Sequence, residues 1–150
     1  MNLSRDKPLV ADQSALLFVD VQNFALHRKG AEFVGLSDEV FQEKYGWFFD
    51  EMNARVVPNM QAIQAACRGA NIEVMYTTIE SLTLDGRDRS LDYKITGFNV
   101  PKGSWDGKVI EQIRPMDDEI VLSKYKEDLK NNMIKNYLES DDKKIKLVDL

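Results

Sequence analysis

The sequence predicts an α/β domain built on a three-layer, doubly wound parallel sheet. Three short apolar runs, "ALLFVD" (15–20), "NIEVMYTT" (71–78) and "DEIVLSK" (118–124), are nearly continuous rather than alternating. That is how strands read when both faces of their sheet are covered. Segments with helical spacing separate the runs, as parallel strands require. The composition, 43% hydrophobic and 30% charged over 150 residues, suits one domain with its own core and no disordered half.

The first run ends on Asp20, which poses the central question of the chain. A carboxylate closing a buried strand either caps the next helix or takes part in chemistry. The following segment, "SDEVFQEKYGWFFDEM", places Val40, Phe41, Tyr45, Phe48, Phe49 and Met52 at the spacing of one helical face, with Ser37 as N-cap. A second helix is expected over "VVPNMQAIQAACRGAN", with Pro58 in its first turn and Gly69 past its end. Cys67 sits in that helix beside Ala65 and Ala66 and reads as a small core residue. After the second strand, "LTLDGRDRSLDYKITGFNVPKGS" reads as one long polar loop, and loops of that length in a compact domain are usually functional. "SWDGKVIEQIRP" is expected to form a short helix capped by Ser104 and stopped by Pro115. The last 26 residues change character, with six lysines and no arginine or glycine. They still fit a helix, carrying Leu129, Met133, Ile134, Tyr137 and Leu138 on one face, and then a strand, "KIKLVDL". The whole reads β, α, α, β, α, β, α, β in a single domain over residues 1–150, with 125–150 as a divergent lysine-rich tail.

The bulk properties exclude several functions. A net charge of −5 argues against nucleic acid or an anionic membrane as a partner. No apolar run approaches the roughly 18 residues needed to span a bilayer, and the N-terminus lacks the apolar segment of a secretory signal. A single cysteine rules out an internal disulfide framework and points to a reducing, cytoplasmic setting. His27 is the only histidine and has no companion ligand, so no metal is expected. Neither a glycine-rich dinucleotide fingerprint nor a Walker loop follows the first strand, so no nucleotide cofactor is expected either.

In a doubly wound sheet, ligands bind beyond the carboxyl ends of the strands. Asp20 closes the first strand and Lys124 the third. As an acid and a lysine at neighbouring strand ends, the two are expected to meet in one crevice, as a catalytic pair or as a structural ion pair. The motifs themselves go further. "ALLFVDVQN", with its Asp-x-Gln-Asn, then "PKGSWD" and "EIVLSK", together with the sequence between them, resemble the isochorismatase-like cysteine hydrolases over roughly residues 12–124. The likeness is nearest to the branch acting on amide or ureido substrates, such as ureidoacrylate amidohydrolases. The resemblance implies an isochorismatase-like fold whose later part is missing from this chain. It implies that Asp20 is the general base or proton shuttle and that Lys124 anchors it and stabilises charge. The nucleophile of such enzymes is a cysteine after the next strand, at a helix N-terminus where the dipole favours a thiolate. This chain reaches Leu150 without one, so it is expected to be inactive as it stands. Cys67, in the helix before strand two, is expected to point away from Asp20.

Other residues have two readings. Asn23 and Phe24 either line the pocket mouth or serve helix-start polarity and packing. Glu80 either accepts hydrogen bonds from a substrate amide or is a solvated loop charge. Arg87 and Arg89 either grip a substrate carboxylate or pair with Asp85, Asp88 or Asp92. Trp47 and Trp105 read as core or oligomer contacts. Two further functions compete with hydrolysis of a small amide or ureido substrate. One is a catalytically dead relative kept as a binding or subunit-interaction module. The other is a receiver- or phosphatase-like domain, which lacks the additional acidic residues it needs. Because apolar faces of an incomplete sheet need cover, a homo-oligomer, a swapped assembly or a marginal fold is expected.

Overall fold

A computed structural model describes residues 9–124; the helix and strand expected after Lys124 lie outside them. Three strands, β1 (Ala15–Val19), β2 (Glu73–Ile79) and β3 (Ile120–Lys124), form a parallel sheet in the order β1-β2-β3. The register sets Leu16 against Val74 and Phe18 against Tyr76, then Met75 against Ile120 and Thr77 against Leu122. Successive side chains alternate between faces. Leu16, Phe18, Val74 and Tyr76 therefore share one face, where they pack with Met52, Val57, Met60 and Cys67. Ala15, Leu17, Met75, Ile120 and Leu122 share the other, and Met75 is only 1% exposed. Both faces are covered at β2, which is why its sequence shows no alternation.

A four-residue helix, α1 (Asn23–Leu26), follows β1. α2 (Asp38–Glu51) starts at Ser37, whose hydroxyl accepts from the Val40 N–H at 3.3 Å. Its aromatic face, Phe41, Tyr45 and Phe49, closes on Phe33 with centroid distances of 5.0–5.5 Å. Trp47, 76% exposed, is not a core residue. The two separate helices expected here are continuous. α2 runs through a π-helical turn, Met52–Val56, into α3 (Val57–Gly69). The Val57 N–H reaches back five residues to the Met52 carbonyl. Widening the turn there accommodates a proline ring that lacks an N–H and would press on the preceding turn of a regular helix.

α3 also ends differently from expectation. Gly69 is its last residue, and Asn71 takes the left-handed position with φ 55°. Ile72 and Asn71 donate to the carbonyls of Cys67 and Arg68 at 2.9 and 3.2 Å, the paired bonds of a Schellman closure. The strand begins only after this turn, at Glu73.

Two expectations for the 82–115 segment are corrected. The long loop contains a helix, α4 (Leu91–Thr96), capped by Ser90 and closed by left-handed Gly97 at φ 78°. Leu91 and Ile95 on it stay exposed, so no buried face marked it in the sequence. The helix expected over 104–115 is instead two 3₁₀ turns, Trp105–Gly107 and Glu111–Ile113. Between them Val109 bridges Gln22, and the Ile110 N–H donates to the Val21 carbonyl at 3.1 Å. Pairing with the chain after β1 thus overrides helix formation. Ser104 makes no side-chain cap; its buried hydroxyl has no hydrogen-bond partner among the described residues.

A polar cluster ties α3 to the start of β3. Arg68 makes a bidentate pair with Glu119, both bonds 2.8 Å, and donates to Gln64 Oε1 at 2.9 Å. Gln64 Nε2 donates to the hydroxyl of Tyr76 at 2.5 Å. Burial pushes the Tyr76 phenol up to about 12. Its neutral form is therefore favoured by folding, and this contribution is intact below the ordinary value of roughly 10. It is lost as the pH rises through 12. Unfolding midpoints measured at pH 9 and pH 11 are expected to fall further for the wild type than for Tyr76→Phe. Equal falls would mean that this phenol is not coupled to folding.

Candidate active site at the carboxyl ends of the strands

Asp20 leaves β1 in a left-handed conformation, φ 57°, which aspartate tolerates better than most residues. Its N–H still pairs with the Thr77 carbonyl at 2.8 Å, and its own carbonyl accepts from the Gln22 N–H at 2.9 Å. The strand therefore turns out of the sheet one residue after pairing ends, with a half-buried carboxylate on the bend.

Gln22 replaces the pairing that this bend removes. Its Oε1 accepts from the Ile79 N–H at 2.7 Å, and its Nε2 donates to the carbonyls of Ile79 at 3.1 Å and Asp106 at 3.2 Å. A side-chain amide thus takes the place of a peptide unit at the end of β2. Next to it, Asn23 Nδ2 donates to the Trp105 carbonyl at 2.9 Å, and the Asn23 N–H to the Lys108 carbonyl at 2.9 Å. Phe24 is buried and packs on Phe98, centroids 4.6 Å apart; Phe98 packs equally closely on Tyr93. Gly30 folds back onto α1 so tightly that a Cβ there would lie 2.1 Å from the Phe24 carbonyl oxygen.

At the end of β2, Glu80 accepts from the Gly103 N–H and, at 3.2 Å, from the Ser123 hydroxyl. Arg87 stays exposed and pairs with Asp85 at 3.3 Å. Arg89 donates to the carbonyls of Gly86 and Phe98 at 2.9 and 2.7 Å, holding its own loop closed. Trp105 is half-exposed and meets the His27 ring edge-on at 4.9 Å.

The structure gathers Asp20, Asn23, Phe24 and Glu80 at the carboxyl edge of the sheet with the 101–107 turn. Lys124 ends β3 opposite Ile79. Asp20 and Lys124 are not on neighbouring strands: β2 lies between them. Cys67 belongs to the other edge, since its carbonyl takes part in closing α3 just before β2 begins. The roles of Gln22, Gly103 and Ser123 were not read from the sequence. Gln22 stood in the Asp-x-Gln-Asn motif, but its partners lie 57 and 84 residues away. Among the described residues, no three His, Cys, Asp or Glu side chains are placed to hold a metal ion, and no helix is long and apolar enough to cross a membrane.

Solved structures share the fold. A cysteine hydrolase from Pseudomonas syringae pv. phaseolicola 1448A superimposes with a TM-score of 0.59 at 21% identity, over 79% of this chain and 49% of that one. The fold is isochorismatase-like. An N-carbamoylsarcosine amidase from Thermoplasma acidophilum gives a TM-score of 0.51 at 20% identity, over 81% of this chain and 62% of that one. An isochorismatase family protein from Desulfovibrio vulgaris subsp. vulgaris str. Hildenborough gives 0.51 at 19%, over 75% and 53%. The chain spans about half to three-fifths of the length of these isochorismatase-like structures. Its sequence matches no protein-family model and no curated protein.

Proposed function

We propose that this chain carries the aspartate–lysine part of a cysteine-hydrolase site for the C–N bond of a small amide or ureido substrate. Asp20 moves the proton and Lys124 stabilises developing charge. The observation that carries this reading is the construction around Asp20. A carboxylate on a left-handed bend, fixed by a buried glutamine clamp at the mouth of a parallel sheet, is more than a helix cap needs. Asn23 and Phe24 shape the crevice in this reading. Arg87, whose partner Asp85 is an exposed side chain, is assigned to a substrate carboxylate. Cys67, the only cysteine in the sequence, lies at the wrong edge, so the chain by itself binds but does not turn over. A reducing cytoplasm and a homo-oligomer complete the proposal.

A second reading, a binding or subunit-interaction module, is favoured by Leu91 and Ile95, 72% and 74% exposed on α4. The experiment is ammonia release from a panel of small amides and ureido acids, with circular dichroism to verify folding. It is run beside NMR of the Gln22 and Asn23 side-chain amides. The expected result is no release by the folded chain, with amide signals that shift when a ureido acid is added. Release abolished by Asp20→Asn but kept by Cys67→Ala would overturn the requirement for a cysteine. Signals that no amide moves would favour the second reading.

A further inference from the structure

Glu80 stands between two chain segments that the sheet itself does not join. One of its carboxylate oxygens accepts from the Gly103 N–H, in the 101–107 turn. The other accepts from the Ser123 hydroxyl, one residue before Lys124. Ser123 is also 3.4 Å from the Thr78 hydroxyl on the neighbouring strand. The same turn reaches the other way. Its Trp105 carbonyl holds Asn23 Nδ2, and its Asp106 carbonyl holds Gln22 Nε2. Asp106 also accepts the Ala31 N–H at 3.1 Å, fixing the turn from behind. Gly103 takes a left-handed backbone, φ 72°, and at Gly107 a Cβ would come within 3.4 Å of the Glu80 carboxylate. The left-handed backbone at Gly103 lets the turn aim its N–H at the carboxylate.

The hydrogen bonds form a continuous path across three strand ends, from Gln22 and Asn23 after β1, through the 101–107 turn, to Glu80 after β2 and Ser123 on β3. With β2 lying between Asp20 and Lys124, their separation is set by whatever spans the strand ends. We propose that Glu80 is a positioning residue and that the 101–107 turn is a brace coupling the Asp20 bend to the Lys124 strand end. The proposal rests on the reading of Asp20 and Lys124 as the hydrolytic pair. It gives Glu80, whose two oxygens already accept protein donors, a role other than contact with substrate. A carboxylate suits it because a charged acceptor strengthens both hydrogen bonds.

The test is NMR of the full chain, which needs no turnover. The Gly103 amide signal is expected to shift upfield in Glu80→Gln, where a neutral oxygen replaces the charged acceptor. In that variant the side-chain amide signals of Asn23 and Gln22, whose hydrogen bonds go to backbone carbonyls and not to the Glu80 carboxylate, are expected to shift and to exchange with solvent at least tenfold faster. Ser123→Ala, which leaves the Gly103 bond intact, serves as the second variant; it is expected to shift the Glu80 carboxyl carbon signal while the fold is kept, and an unmoved signal would overturn the Ser123 contact. A Gly103 amide indifferent to Glu80→Gln would overturn the positioning role of Glu80. A change at Gly103 with Asn23 and Gln22 unmoved would overturn the brace. Intact coupling in a chain whose amides no substrate perturbs would retain the brace and reject the hydrolytic reading, so the two failures are distinguishable.

Discussion

Replacing Arg68 with leucine is expected to destabilise the fold by about 3 kcal/mol at neutral pH, the scale for removing one member of a largely buried ion pair. Arg68 is the hub of its cluster, bonding Glu119 twice, Gln64, and the Arg114 carbonyl at 3.2 Å. The change leaves Glu119 without its counter-charge in a site where its side chain is 13% exposed. The pH dependence follows from the direction of the Glu119 shift. Burial pushes its carboxyl up, but hydrogen bonds from Arg68 and from the Met116 N–H outweigh burial and hold it below the ordinary value. Its contribution is thus present above about pH 4.3 and disappears as the pH falls through the lowered folded value. The deficit of Arg68→Leu is expected to be greatest at pH 7 and smaller at pH 3, because the carboxyl left without its counter-charge in the variant is more readily neutralised by a proton as the pH falls. Urea unfolding at both pH values measures this. In a double-mutant cycle, Arg68→Leu with Glu119→Leu should recover much of the loss. A double variant worse than the sum of the singles would show that the cluster contributes through packing rather than charge.

Gln22→Met is expected to cost a comparable amount, also about 3 kcal/mol, since it removes three hydrogen bonds and leaves the partly buried Ile79 N–H without this acceptor. Methionine conserves the length of the side chain, so the loss reports on the amide and not on volume. Because Gln22 fixes the loop that follows Asp20, the damage is expected to concentrate at the carboxyl edge. Hydrogen exchange should accelerate at Ile79 and Ile110 while Val74, deep in β2, keeps its protection. Uniform acceleration across the sheet would mean that the clamp serves global stability alone.

The three strands were legible because each is a run of apolar residues, and Ser37 announced α2 through its capping position. The boundaries went astray where a tertiary partner decided them. Val109 and Ile110 were drawn into extended pairing by Gln22 and Val21, which no local pattern at 104–115 records. α4 was missed because Leu91 and Ile95 face solvent. At the site, Asp20 could be singled out from the sequence since a charge on a buried run is anomalous. Glu80 could be flagged by its place after β2. Its partners, a backbone N–H at Gly103 and a hydroxyl 43 residues away, are unmarked by residue type. That β2 separates Asp20 from Lys124 is a matter of strand order, which short apolar runs do not encode.

The left-handed backbone at Asp20 imposes two separate demands on a single position. Geometry accepts aspartate, asparagine or glycine there and resists β-branched residues; the proton transfer proposed for it accepts only a carboxylate. Asparagine therefore meets the first demand and fails the second, so the architecture and the reactivity of this corner are genetically separable. An aspartate conserved at this position across divergent descendants would record selection on charge, whereas drift among the three permitted residues would record a scaffold that no longer needs it.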